Sequence, residues 1–66
     1  MTSETRYNGE RNGYKVEVYE YTVNRKHGFG TRITNLTTSS SLQTPGFSTY
    51  GTALMVAQQE ADEAKI

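Results

Sequence analysis

Sixty-six residues carrying seven basic and seven acidic side chains, 33% hydrophobic content and no cysteine or tryptophan describe one small domain of zero formal net charge. This inventory excludes a disulfide framework, a thiolate metal site and long-range attraction to a polyanion. No run approaches the roughly 20 apolar residues that span a bilayer and no apolar stretch follows Met1, so no membrane partner is expected and the expected address is the cytoplasm.

A chain this short buries only about 60% of the surface its unfolded form exposes, so its core is small. With two phenylalanines and five tyrosines, that core must draw on tyrosine, whose hydroxyl needs a partner wherever it is buried. Charge is unevenly spread. Residues 1–33 hold six of the seven bases with four acids, whereas Lys65 stands alone against Glu60, Asp62 and Glu63 in the second half. Between Ile33 and Gln59 there is no charged side chain at all.

Residues 1–13 contain the turn signals Asn8-Gly9 and Asn12-Gly13 and one large apolar anchor, Tyr7. They read either as a flexible arm or as a short edge strand around Arg6-Tyr7. Tyr14 to Val23 concentrates β-branched and aromatic residues in period-two alternation and is a strand. Its apolar phase slips near Val18-Tyr19: Tyr14, Val16 and Val18 share one face, Tyr19, Tyr21 and Val23 the other. Either a bulge restores register there or both faces are partly covered. In the second case Tyr19 and Tyr21 point away from the core.

Asn24 to Gly28 reads as a hairpin loop with Arg25 and Lys26 at a basic tip, His27 beside them and Gly28 in the left-handed position that closes the loop. Phe29, Thr31 and Ile33 alternate along the next strand, in which Gly30 marks a bulge or a close approach of another backbone. That strand is expected to continue to about Thr38, followed by a Ser-rich loop, a short strand at Ser41 to Gln43 and a turn at Pro45-Gly46. Ser48 and Thr49 are hydroxyl residues placed to cap a helix over 48–65, with Phe47 as a hydrophobic staple. Ala53, Leu54, Ala57, Ala61 and Ala64 form its apolar stripe. Glu60, Asp62 and Glu63 lie at its C-terminal end, where the helix dipole disfavours acids.

The whole is therefore a single α+β domain, 1–66: a two-layer sandwich in which an antiparallel β-meander of two to four strands over 14–44 is covered by one C-terminal α-helix.

Chemistry-bearing constellations are missing from this pattern. His27 is the only histidine, no spacing places an acid and a hydroxyl around it, and one histidine without cysteine makes no zinc site. Asp62 and Glu63 are adjacent on a helix and splay apart, a poor geometry for paired acid–base work. Gly28-Phe29-Gly30-Thr31 follows a hairpin and opens a strand, unlike a phosphate-cradling loop. The expectation is a non-enzyme without cofactor or metal.

Tyr14 to Ile33 followed by the helix resembles the strand-and-helix part of the double-stranded-RNA-binding domain, which implies phosphate contacts at the helix start. The lysines that family carries there are replaced by Thr49, Tyr50, Gly51 and Thr52, and its first helix is missing, so nucleic-acid binding is the alternative reading. In size and organisation the chain resembles the small orphan proteins of bacteriophages and prophages, including anti-defence inhibitors of the anti-CRISPR type. That resemblance implies a small inhibitor or adaptor acting on a larger protein in the host cell cytoplasm. The residues themselves offer Tyr19, Tyr21, Arg25, Lys26 and Arg32, the aromatic and cationic types that dominate interface energetics, as the partner-binding set. The uncharged stretch from Thr34 to Thr44 also suits edge pairing into a homodimer.

Overall fold

Two tight turns shape the sheet. A computed structural model describes residues 2–66, and in it Asn12 and Gly13 have φ of 54° and 81°, while Asn24 and Arg25 have φ of 53° and 66°. Positive φ at both central residues is the requirement of the two-residue hairpin turn whose twist matches the flanking strands. These turns join β1 (Thr2–Arg11), β2 (Tyr14–Val23) and β3 (Lys26–Asn35), and β4 (Ser41–Phe47) completes an antiparallel sheet in the order β1-β2-β3-β4. The helix α1 (Tyr50–Asp62) follows and packs on one face. The α+β sandwich expected from the sequence is the fold observed.

Several local expectations are corrected. Residues 2–11 are neither an arm nor a short strand but a ten-residue edge strand paired with β2 along its length. Asn8-Gly9 makes no turn, because the turn at Asn12-Gly13 pairs Arg11 with Tyr14 and keeps Asn8 and Gly9 opposite Glu17 and Val16 in the ladder. The loop predicted over Asn24 to Gly28 is only Asn24-Arg25: Lys26 and His27 belong to β3, and Gly28 is a strand residue outside the left-handed region. β3 stops at Asn35 rather than continuing to Thr38, since the Asn35 side-chain oxygen accepts hydrogen bonds from the backbone N–H of Thr37 (2.8 Å) and Thr38 (3.1 Å) and bends the chain. Pro45-Gly46 is not a turn. It lies within β4, where Phe29 pairs with Phe47 and Thr31 with Thr44, so two residues oppose Gly30 as a bulge. Proline is tolerated there because β4 is an edge.

The helix runs Tyr50–Asp62, shorter at both ends than the expected 48–65. Thr49 is its cap, accepting a hydrogen bond from the N–H of Thr52 at 3.3 Å. At the other end Ala64 turns left-handed with φ of 53°, and Lys65 N–H reaches the carbonyl of Glu60 at 3.2 Å, a closing motif that normally selects glycine.

The apparent phase slip in β2 has a simple resolution. β2 and β3 pair without any register shift from Tyr14↔Asn35 to Val23↔Lys26, and the irregularity lies instead in β1, between Thr5 and Tyr7. Tyr14, Val16, Val18 and Ile33 face the helix and are buried; Tyr19 and Tyr21 face away from it and are half-buried. Ala53, Ala57 and Ala61 are fully buried against the sheet, and their single methyls let the helix sit close. Leu54 is half-buried, and Ala64, beyond the helix, is exposed. Tyr14 Oη donates to the carbonyl of Ile66, and Arg11 forms a two-pronged pair with Asp62 at 2.7 and 2.8 Å. At its other end the helix meets Phe29 through Tyr50, the two rings edge-to-face with centroids 6.4 Å apart. The helix therefore covers the sheet from the β1–β2 turn to its middle, and the β2–β3 hairpin projects beyond it along a 36 Å long axis.

Candidate functional site: the open face of the sheet

The face turned away from the helix is built by a symmetry of the β2–β3 hairpin. Centring the turn on Asn24-Arg25 sets Tyr19 opposite Gly30 and Tyr21 opposite Gly28. Each ring then lies across the glycine it faces. A Cβ on Gly30 would come within 2.5 Å of Tyr19 Oη, and one on Gly28 within 2.8 Å of Tyr21 Oη. Gly30 therefore marks a close approach, as expected, but by an aromatic ring in addition to the bulge of β4. The rings reach past β3 to β4, where Tyr19 Oη accepts from Gln43 Nε2 at 2.9 Å and Tyr21 Oη accepts from the backbone N–H of Gly46 at 3.0 Å. The ring centroids are 6.0 Å apart with a 45° tilt. One face of each ring rests on the strand and the other is open, so the pair forms a tyrosine floor.

A cleft of about 340 Å³ opens over this floor, walled by Ser3 and Thr5 from β1, Val23 from β2 and Gln43 and Pro45 from β4. Its inner end holds an ion pair. Arg32 Nε and Nη2 bind the two carboxylate oxygens of Glu17 at 3.0 and 3.2 Å, and Glu17 is buried. Arg32, expected to be a free contact residue, thus spends two of its donors on its cross-strand neighbour.

Of the five residues singled out from the sequence, the structure brings Tyr19, Tyr21 and Arg32 together around one cleft and puts Lys26 at the projecting end of the same face, across from Val23. Arg25 occupies the second position of the turn, exposed. His27 is not at the tip: it faces the helix side of β3, with Nε2 on Glu20 Oε2 and its ring edge-on to Phe29 at 5.2 Å. Sequence reasoning missed Gln43 and the two glycines as parts of the site. The signal was present in the pairing of Tyr19/Tyr21 and Gly28/Gly30 at equal distances from Asn24-Arg25, legible once the turn is taken as two residues rather than five.

Titration of the acids links this geometry to stability. The hydrogen bond from Arg32 holds Glu17 below the ordinary carboxylate range against an opposing desolvation, those from His27 and Arg6 do the same for Glu20, and that from Arg11 for Asp62. A folded-state value below the unfolded one, about 4.3 for Glu and 3.9 for Asp, stabilises the fold above the unfolded value, and that contribution disappears as pH falls through the folded value. Glu60, raised by burial, works the opposite way and is outnumbered. The melting temperature is expected to be flat near neutral pH and to fall steadily below about pH 4.5. A melting temperature that stays constant or rises down to pH 3, followed by circular dichroism, contradicts the pairings.

Among the described residues no group of three or more His, Cys, Asp or Glu side chains is placed to hold a metal ion, and no helix is long and apolar enough to cross a membrane. Comparison with protein families, with curated proteins and with solved structures gives no match for this chain.

Proposed function

We propose that this protein is a non-enzymatic interaction module, a small inhibitor or adaptor that grips a larger protein with the tyrosine floor and the basic tip of its β2–β3 hairpin. The observation that carries this reading is the floor itself: two tyrosines held across Gly28 and Gly30 on the face the helix leaves uncovered. Large aromatic side chains fixed in place before binding lose little rotamer freedom on association, the property that makes tyrosine a common anchor at interfaces.

Arg25 adds independent support. A left-handed φ of 66° costs a non-glycine residue roughly 1–2 kcal/mol, and the equivalent position of the other hairpin turn is Gly13. The turn thus carries an arginine where its own geometry favours glycine, a local conflict of the sort that accompanies functional positions. The anti-defence type of protein that the chain resembles in size and organisation acts in this manner, by covering a surface of a host protein.

Capture from the native cell tests the proposal. Tyr19→Ala/Tyr21→Ala is expected to lower stability and, assayed at a temperature where circular dichroism shows it folded, to lose the captured protein, whereas Arg25→Gly is expected to gain stability, by about 1 kcal/mol, while capturing less. Undiminished capture by the folded double variant refutes the choice of surface. The nucleic-acid alternative has less support: the helix start at Thr49–Thr52 is uncharged, so the double-stranded-RNA mode lacks its phosphate grip. A capture that is abolished by nuclease, or that weakens steeply with salt, would favour it.

A further inference from the structure

Charge is sorted between the two layers of this neutral protein. Cross-strand register puts Glu10, Lys15, Glu17, Lys26 and Arg32 on the open face, with Arg25 at its tip, while Glu4, Glu20 and the helical acids lie on the other side. Four of the seven bases are already held by carboxylates: Arg6 by Glu20 at 2.7 Å, Arg11 by Asp62 at 2.7 Å, Arg32 by Glu17 at 3.0 Å and Lys65 by Glu63 at 3.3 Å. The other three, Lys15, Arg25 and Lys26, have no carboxylate within salt-bridge reach among the described residues. All three belong to the open face or its tip. Lys15 stands opposite Glu10 at the far end, so the uncompensated positive charge is concentrated at the hairpin end, on Arg25 and Lys26.

The floor between these ends is rich in donors. Tyr19 Oη and Tyr21 Oη each accept a hydrogen bond from β4, which leaves each hydroxyl proton to be donated to something else, and Arg32 Nη1 makes no hydrogen bond within the described residues. A ligand seated here meets ring faces and hydrogen-bond donors along its length and positive charge at one end.

Resting on the interaction-module reading, we propose that the open face receives an extended peptide segment of the protein partner, with its acidic residues over Arg25 and Lys26 and its uncharged residues across Tyr19 and Tyr21. Charge complementarity selects acid at the tip, and the distribution of charge selects a peptide over a nucleic-acid strand. A phosphate backbone places a negative charge at every step, yet between Lys26 and Lys15 the face carries Glu17 and no free base. A peptide concentrates its carboxylates at one end and crosses the remainder uncharged, with backbone carbonyls accepting from the tyrosine hydroxyls.

Three probes, titrated into the isotopically labelled chain and followed by amide chemical shifts, test this directly: a decapeptide with three glutamates at one end and threonine and leucine elsewhere, its lysine-for-glutamate counterpart, and a ten-nucleotide oligo(dT). The acidic peptide is expected to shift the amides of Tyr21, Val23, Lys26 and Gly28, and Arg25→Ala/Lys26→Ala to weaken it roughly five-fold. No shift at millimolar acidic peptide, equal or tighter binding of the lysine peptide, or tighter binding of oligo(dT) each overturns the inference. Tyrosine-dependent capture of a protein alongside any of those results leaves the interaction-module reading standing and removes only the acidic segment; loss of tyrosine dependence removes the reading itself.

Discussion

Ile33→Ala is expected to lower the melting temperature by at least about 10 °C. Ile33 has no exposed surface and heads the fully buried side chains by volume. It sits opposite Val16 on β2 and Leu42 on β4, in one cluster with Tyr14, Ala57 and Ala61. Truncating a fully buried isoleucine costs about 2–5 kcal/mol, the transfer of its methyls plus the cavity left behind. A chain of this size starts near the lower end of the usual ~5–15 kcal/mol, so the loss is a large share of the whole. The alanines beneath it cannot lengthen to fill the gap. Met55→Ala, at a position 62% exposed on the outer face of the helix, is the control and is expected to change little. Thermal melts of both variants decide the matter, and a fall of less than about 4 °C for Ile33→Ala contradicts the packing.

The second large effect is at a glycine. In an open strand, replacing glycine by alanine stabilises by about 0.4–1 kcal/mol because the unfolded chain loses freedom. At Gly30 the sign is expected to reverse. The added methyl would lie 2.5 Å from Tyr19 Oη and closer still to its ring, so the ring must leave the strand. Overpacking of this kind costs about 1–3 kcal/mol, and with it goes the hydrogen bond from Gln43. Gly51→Ala, where a new methyl meets nothing within 4 Å, is expected to stabilise in the ordinary direction. Partner capture by Gly30→Ala is expected to fall at least ten-fold although the fold persists, because half of the floor has been lifted. If Gly30→Ala instead melts higher than the parent chain and captures its partner equally well, neither the packing of Tyr19 on Gly30 nor its role in recognition stands.

The same tyrosine pair explains why a chain with so few apolar residues sustains a two-faced sheet. The helix side is closed by aliphatic residues against alanine methyls, and the opposite side by rings laid over glycines. Each tyrosine covers backbone that would otherwise be bare on β3, and its hydroxyl ties the edge strand β4 to the sheet. On the closed side Thr31 Oγ1 is buried without a hydrogen-bond partner among the described residues, and an unsatisfied buried hydroxyl costs about 1–3 kcal/mol.

Much of this was legible in the residues themselves. Alternation from Tyr14 to Val23 gave the central strand to the residue, and the alanine spacing from Ala53 to Ala61 gave the buried stripe of the helix, because both are local periodicities that one buried face imposes directly on the chain. For Tyr19 and Tyr21 the same period left two readings, a restoring bulge or two covered faces, and the unbroken ladder of β2 with β3 decided for the outward placement. What local pattern leaves undecided is pairing. Two Asn-Gly signals of equal strength stand at residues 8 and 12, and only the ladder with β2 makes the second a turn and the first a strand. Asn24-Arg25 carries no glycine, so its two-residue turn emerges from the register of β2 on β3 and not from turn chemistry. Asp62, which looked ill-placed at the negative end of a helix dipole, is answered by Arg11, 51 residues away in sequence. Composition and periodicity thus determined the fold class, the strand β2, the position of the helix after the sheet and the alanine stripe it buries, since these depend on neighbours along the chain. The extents of β1, β3 and β4, the seating of tyrosine on glycine and the separation of free from neutralised bases were decided by tertiary structure alone, because each depends on which distant residue the register sets opposite.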